Sequence, residues 1–376
     1  AQQFAGLLRS DAGREARAYL AKRGVAEAMI EHFGLGYSDR AGQTLLRALE
    51  QKGYAKDAIE ASGLIGKTEG GRQYDRFRNR LMFPIHNETG KIIGFGGRSL
   101  GEDEPKYLNS PATEIYDKSG VLYNLNRAKA PARKAEFSIL VEGYMDVIGV
   151  YAAGIHNVVA SCGTALTAGQ VRMLKRHADR IVANFDPDAA GANATEKSIQ
   201  ILLEEGFHVK VLSLAGGLDP DEYIKERGAD DYRAALGKAD SYFHWLAQRA
   251  RGRFDMGNAE GRMEAVKTML LPAVLRIPDR IERLAVATEL ARFLGVDESS
   301  MREMLKGQDA GGRKPAVSNA AKRLEEAATK VSDTERTLLR VCFESEEMRR
   351  HVLGVLAGHP VLERLSVGNL FRAMMQ

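Results

Sequence analysis

The stretch "FSILVEGYMDVIGVYAAG", Phe137 to Gly154, decides the fold. Its first part, "FSILVE", is a short apolar run of the kind a strand buried on both faces requires. Its second part, "YMDVIGVYAAG", reads as a helix that ends on glycine. Two acids, Glu142 and Asp146, stand where strand turns into helix. A carboxylate there can cap the first helical turn, and two together can hold a metal ion. These residues alone do not choose between the two.

Three further units repeat the pattern. Strand "NVVAS" (157–161) leads to helix "TAGQVRMLKRHA". Strand "RIVANF" (180–185) leads to "AAGANATEKSIQILLEEG", and strand "HVKVLSL" (208–214) leads to "PDEYIKERG". Four β-then-α units in a row imply an α/β domain, a parallel sheet with helices on both faces, over residues 136–239. Upstream, residues 1–135 read as a basic α+β subdomain. Helical spacing runs from Ala16 to Leu64, and "RLMFPIHNETGKIIGFGGR" forms an antiparallel hairpin around Asn87-Glu88-Thr89-Gly90. Downstream, 240–306 is helical throughout, 307–318 reads as a linker, and 319–376 starts a further helical module that breaks off at "NLFRAMMQ".

A chain of 376 residues, 44% hydrophobic and 28% charged, suits two or three globular domains. No apolar run is long enough to span a membrane. The opening "AQQFAGLLRS" is not a secretory start and reads as a cut from something longer. Two distant cysteines, Cys162 and Cys342, match no disulfide or zinc pattern and fit a reducing cytosol. The net charge of +4 permits nucleic-acid binding without arguing for it.

In open parallel sheets function gathers beyond the carboxyl ends of the strands. The first strand here ends in Glu142, with Asp146 one turn later. The third ends in "DPDAAG", with Asp186 and Asp188, and the fourth is followed by "GGLDPD", with Asp219 and Asp221. A single "DPD" is an ordinary helix start, with proline at the first helical position. Caps have no reason to cluster at successive strand ends, however. Converging carboxylates repel unless a cation neutralises them, and oxygen-only ligands favour Mg²⁺ or Mn²⁺.

A Glu-Gly after the first strand, then Asp-x-Asp-x-x-Gly, then a second Asp-x-Asp resembles the Toprim domain. With "YDRFRNRLMFPI" (74–85), "GFGGR" (94–98), "KYLNSP" (106–111) and "VEGYMDV" (141–147), the chain is similar over roughly residues 14 to 300 to bacterial DnaG-type DNA primases. The resemblance implies an enzyme, a DNA-directed RNA polymerase that makes primers on single-stranded DNA. It implies Glu142, Asp186 and Asp188 as catalytic residues. Glu142, Asp146, Asp186, Asp188, Asp219 and Asp221 would bind two or more Mg²⁺ or Mn²⁺ ions, Glu142 acting as ligand or general base. Arg23, Arg76, Arg78, Arg98, Lys106, Tyr107 and Lys118 would hold template and ribonucleoside triphosphate. It further implies an RNA–DNA hybrid as product, a replicative helicase contacted through the carboxyl-terminal helical module, and a monomer in the bacterial cytoplasm, at the nucleoid. Two departures stand out: no cysteine or histidine set for the family's zinc ribbon occurs, so no zinc is expected, and Pro187 separates the first paired acids.

The basic residues also have a physical reading. A template and a triphosphate are polyanions, so a cleft with metal on one wall needs cations on the other. Arg76, Arg78 and Arg80 alternate with Phe77 and Asn79, which in a strand puts three guanidinium groups on one face. "GFGGR" reads as a strand with close backbone approach. Cys162 reads as a small residue in a tight loop, His86, His156 and His177 as ordinary, and Phe243 and Trp245 as core. "LARFLGVDESSMREML" reads as a plain helical hairpin rather than a helix-turn-helix. The rival readings are another Toprim enzyme, such as a metal-dependent nuclease or topoisomerase, and a non-catalytic DNA-binding Toprim scaffold.

Overall fold

Five short helices open the chain: α1 Gln2–Arg9, α2 Arg14–Lys22, α3 Glu27–Phe33, α4 Thr44–Gln51 and α5 Lys56–Ala61. The first three bury residues three or four apart (Phe4 and Leu8, Ala16 and Leu20, Ile30 and Phe33); all but Phe4 join one core, and Phe4 packs in a second cluster with Phe77 and Phe95. The computed structural model describes residues 1–163, 166–185, 189–310, 346–357, 359 and 371, in two units, Ala1–Glu303 and Met304–Gln376.

Strands β1 Gly36–Ser38, β2 Ile65–Lys67, β3 Gln73–Asp75, β4 Arg80–His86, β5 Ile92–Ser99 and β6 Tyr107–Asn109 follow. They form an antiparallel sheet ordered β1-β4-β5-β6 and a separate β2–β3 hairpin. The expected β4–β5 hairpin is present. Asn87 Oδ1 accepts the N–H groups of Thr89 (3.1 Å) and Lys91 (2.9 Å), which closes the turn. The expected single strand through Arg76, Arg78 and Arg80 is not. Asn79 sits at φ +50°, so the chain bends between β3 and β4, and only Arg80 enters the ladder.

After α6 Leu125–Ala135 come β7 Ser138–Val141, α7 Tyr144–Ala152, β8 Val158–Ala160, α8 Ala168–Lys175, β9 Arg180–Ala183, α9 Ala189–Glu204, β10 His208–Val211 and α10 Pro220–Arg227. Then α11 Ala229–Gly237 leads to β11 Asp240–Ser241. The sheet order is β11-β10-β9-β7-β8, parallel except for the short edge strand β11. The chain runs from β7 to β8 on one side and then crosses to β9 on the other. A topological switch point therefore lies beside the end of β7.

Two glycines of "GFGGR" let the first sheet meet its neighbours. A Cβ on Gly96 would stand 2.4 Å from the Tyr144 ring, and one on Gly97 would stand 2.7 Å from Phe77. Tyr144 stacks on Phe83 (4.7 Å between centroids) and donates its hydroxyl to Asn109 Oδ1 (2.7 Å). One apolar core runs from Leu8, Phe33 and Phe83 through Tyr144 into Val141 and Val158.

The helical region holds α12 Tyr242–Arg251, α13 Ala259–Ala265, a π turn Val266–Leu270, α14 Leu271–Val274, α15 Arg280–Leu294 and α16 Glu298–Ala310. In α12 the core face is Tyr242, Leu246 and Ala250, spaced four apart. Phe243 and Trp245, expected in the core, fall off that stripe and are half-buried, with Arg249 over the indole at 4.7 Å. Helix α16 covers the first four residues of the expected linker. The remainder of that linker and Cys342 lie outside the described residues. In the second unit α17 Glu346–Leu356 carries an i,i+4 bond from Arg350 to Glu346 (2.8 Å).

Candidate active site

At the junction quoted first the cap is present, and the capping carboxylate also joins an acidic group. Gly143 is the N-cap of α7, and Asp146, in the first turn, reaches back so that its Oδ2 accepts the Gly143 N–H at 2.9 Å. A carboxylate oxygen of the same Asp146 lies within 4.8 Å of one from Asp219 and one from Asp221. Capping fixes the side chain, and the fixed side chain joins an acidic group.

The other two acids arrive on α10. Beyond β10 a short turn at Ala215–Gly217 leads to Asp219, the N-cap of α10, with Pro220 at its first position. The positive end of the helix dipole favours carboxylates there. Helix α10 packs closely on α7, because Gly149 presents no side chain. A Cβ on it would stand 2.6 Å from the Asp221 Cβ.

The residues fit a hard divalent cation. All three donors are carboxylate oxygens, the ligand type that Mg²⁺ and Mn²⁺ prefer, and they lie within 4.8 Å of one another. Asp221 is 6% exposed, and its Oδ1 has no hydrogen-bond partner among the described residues. A buried carboxylate oxygen in that state is costly unless something positive meets it.

Its other oxygen is met by Arg23, at the end of α2. Arg23 donates Nε to Asp221 Oδ2 (3.0 Å) and Nη1 to Glu222 Oε1 (3.0 Å), and Nη2 also reaches Oδ2. Burial works against the guanidinium charge. The Asp221 charge and hydrogen bond, helped by Tyr19 and Glu222, overcome it and hold the Arg23 pKa above its ordinary value. Lys225 Nζ donates to the Lys22 carbonyl (2.8 Å), a second tie between the two helices. Arg98 lies over the Tyr19 ring at 4.2 Å and near Tyr107 at 6.0 Å. Burial raises the pKa of both phenols. Arg23, Arg98, Tyr19, Asp221 and Glu222 line one cleft of about 630 Å³.

The remaining predicted residues fall elsewhere. Glu142 follows β7, and its carbonyl accepts the Cys162 N–H at 3.1 Å; its carboxylate stands outside the group within 4.8 Å. Asp186 and Asp188 lie outside the described residues. Arg76 and Arg78 line a second cleft of about 590 Å³ with Arg40 and Arg80. Arg80 is 4% exposed and is consumed by the carbonyls of Gly97 (3.1 Å) and Pro105 (2.8 Å). Lys106 is exposed on the loop into β6, and Lys118 Nζ donates to the Gly163 carbonyl (3.1 Å). The Cys162 thiol is buried, with its pKa pushed well up by desolvation, which suits an inert loop residue at φ +52°.

Three residues that matter here carried little or no signal. Tyr19 is four residues before Arg23 on one helix, a spacing that puts both on one face. Gly149 is an isolated glycine in an apolar helix, a mark of close approach. Nothing in the pattern singled out Arg40.

A parallel sheet with carboxylates gathered beyond its strand ends, set against a basic antiparallel body, defines a Toprim-type catalytic core. Residues 139–224 match the Toprim-like family, residues 3–129 match the N-terminal domain of the DNA primase catalytic core, and residues 243–299 match the DnaB-helicase binding domain of primase. The DNA primase of Halalkalibacterium halodurans is 44% identical over 299 residues, covering 79% of this chain and 50% of that protein. A DNA primase domain from Pseudomonas aeruginosa is similar in structure, with TM-score 0.73, 33% identity and coverage of 80% of this chain and 96% of that one. A DnaG primase catalytic domain bound to single-stranded DNA has TM-score 0.69 at 31% identity, covering 80% and 97%.

The chain belongs to the DnaG-type primase family. It spans about half the length of the curated relatives it matches. The helicase-binding match falls on the helical region at 243–299, not on the 319–376 module expected to carry it.

Proposed function

We propose that this chain makes short RNA primers on single-stranded DNA by metal-dependent nucleotidyl transfer. A 3′-hydroxyl attacks the α-phosphate of a ribonucleoside triphosphate and pyrophosphate leaves. The observation that carries this reading is the convergence of Asp146, Asp219 and Asp221 within 4.8 Å, beside a cleft that also holds Arg23 and Arg98.

Asp146, Asp219 and Asp221 hold Mg²⁺ or Mn²⁺, with Asp186, Asp188 and Glu142 completing a set for two or more ions. Bound ions of this kind lower the pKa of an attacking hydroxyl and neutralise a triphosphate. Arg23 and Arg98 meet triphosphate oxygens, with Tyr107 packed beneath. Arg76, Arg78 and Lys106 hold the template backbone, and Lys118 steadies the loop after β8 beside the growing RNA–DNA hybrid. Contacts to backbone suffice, because pairing with the template supplies sequence.

In this reading residues 1–135 form the basic subdomain, 136–239 the metal-binding domain and 240–306 the helical region. That helical region docks a replicative helicase, and the protein works as a monomer in the cytoplasm, at the nucleoid. The single-stranded DNA bound by the similar catalytic domain supports the choice of template.

The test is incorporation of labelled ribonucleotides on single-stranded DNA with Mg²⁺ or Mn²⁺. Short RNA is the expected product. Absence of RNA at high protein concentration with helicase added, or cutting of the DNA instead, would overturn it in favour of another Toprim activity.

A further inference from the structure

The cleft lined by Arg40, Arg76, Arg78 and Arg80 also holds two acids, Asp103 and Glu104, on the exposed loop between β5 and β6. Arg80, buried at the floor, donates to the Pro105 carbonyl and so anchors the base of that loop. Acids beside arginines ordinarily pair with them. Among the described residues these two do not: Arg40 pairs with Glu15 at 2.9 Å, Arg78 lies over the Tyr74 ring at 5.3 Å, and the Glu104 carboxylate accepts the Lys106 N–H at 3.2 Å. The Arg76 Nε is buried without a hydrogen-bond partner. Asp103 and Glu104 therefore share one groove with Arg76 and Arg78 without an ion pair to either among the described residues, and the field of all four acts on whatever enters it.

We propose that Asp103 and Glu104 make this cleft selective for a single strand over a duplex. The inference rests on the reading above, in which the cleft takes template. One strand can set its phosphates on Arg76 and Arg78 and turn its bases toward the carboxylates, which accept hydrogen bonds from base amino groups. A duplex brings twice the phosphate charge per unit length, about one per 1.7 Å of axis, and carries a second backbone into the groove. Within a Debye length of about 10 Å, that backbone meets the two carboxylates and is repelled. A primase gains from such a gate, because its template is single-stranded where it starts.

The test compares binding of a labelled single strand of mixed adenine and cytosine and a blunt duplex of equal length to the full chain, by fluorescence anisotropy at fixed salt. Asp103→Asn with Glu104→Gln keeps shape, and the glutamine still accepts the Lys106 N–H, so folding is not at stake. Duplex affinity is expected to rise about fivefold more than single-strand affinity. Glu27→Gln, an exposed acid on α3, serves as the control and should leave the ratio unchanged. Equal gains for both ligands, no gain for either, or the same shift in the control would overturn the gate alone. Failure of the wild-type chain to bind either ligand would overturn the gate together with the primer-synthesis reading.

Discussion

Gly149 in α7 and Asp221 in α10 approach so closely that a methyl group on Gly149 would stand 2.6 Å from the Asp221 Cβ and 2.9 Å from its Cα. That contact brings an acid from the end of the domain onto an acid from its start. Gly149→Ala must therefore push α10 away. We expect a stability loss of about 1–3 kcal/mol from overpacking, together with weakened divalent-ion binding. Urea unfolding and a Mn²⁺ titration check the two parts; retained ion affinity would show that the packing does not set the site.

Two substitutions at Asp146 separate its cap from its charge. In Asp146→Asn an amide oxygen can still accept the Gly143 N–H, whereas Asp146→Ala loses the acceptor. Both should lose ion binding. Only the alanine variant should lose about 1 kcal/mol of stability in metal-free buffer, since the cap goes with it. Chemical denaturation in the presence of chelator distinguishes them.

Arg23 supplies the only positive partner recorded for the buried Asp221 carboxylate among the described residues. Arg23→Ala leaves that charge uncompensated and should cost about 2–3 kcal/mol, less than a fully buried pair because Arg23 is 24% exposed. A divalent ion takes over part of the neutralisation. Added Mn²⁺ should then stabilise the variant more than the wild type, which thermal unfolding with and without the ion would reveal.

His86 gives a pH dependence away from the site. Burial, helped by the Arg127 charge, lowers its pKa to about 4. The unfolded imidazole takes up a proton near 6.5, the folded one only near 4. Protonation thus favours the unfolded chain, and this group's contribution to stability, complete above 6.5, is lost as pH falls toward 4. In His86→Gln the decline in urea midpoint between pH 7 and pH 5 should be shallower than in wild type.

Much of this architecture is visible in residue order, and the reasons are specific. The four parallel strands are short apolar runs followed by helical spacing, a pattern that tertiary packing reinforces. Three-residue strands such as β1, β2 and β3 are too brief to show a period. The Arg76–Arg80 alternation misled because one left-handed residue, Asn79, breaks the strand, and because Arg80 spends its donors on carbonyls rather than facing a ligand. For the site, strand-end logic names the acids. It does not say which of them meet, since that depends on α10 packing on Gly149.

The central claim is that Asp146, Asp219 and Asp221 together hold the divalent ion that primer synthesis needs. Mn²⁺ binding followed by electron paramagnetic resonance tests it most directly, in the wild-type chain and in Asp146→Asn, Asp219→Asn and Asp221→Asn. The account predicts bound Mn²⁺ in the wild type and a lost or much weakened ion in each variant, with the fold intact by circular dichroism. Unchanged Mn²⁺ stoichiometry and affinity in all three would contradict it.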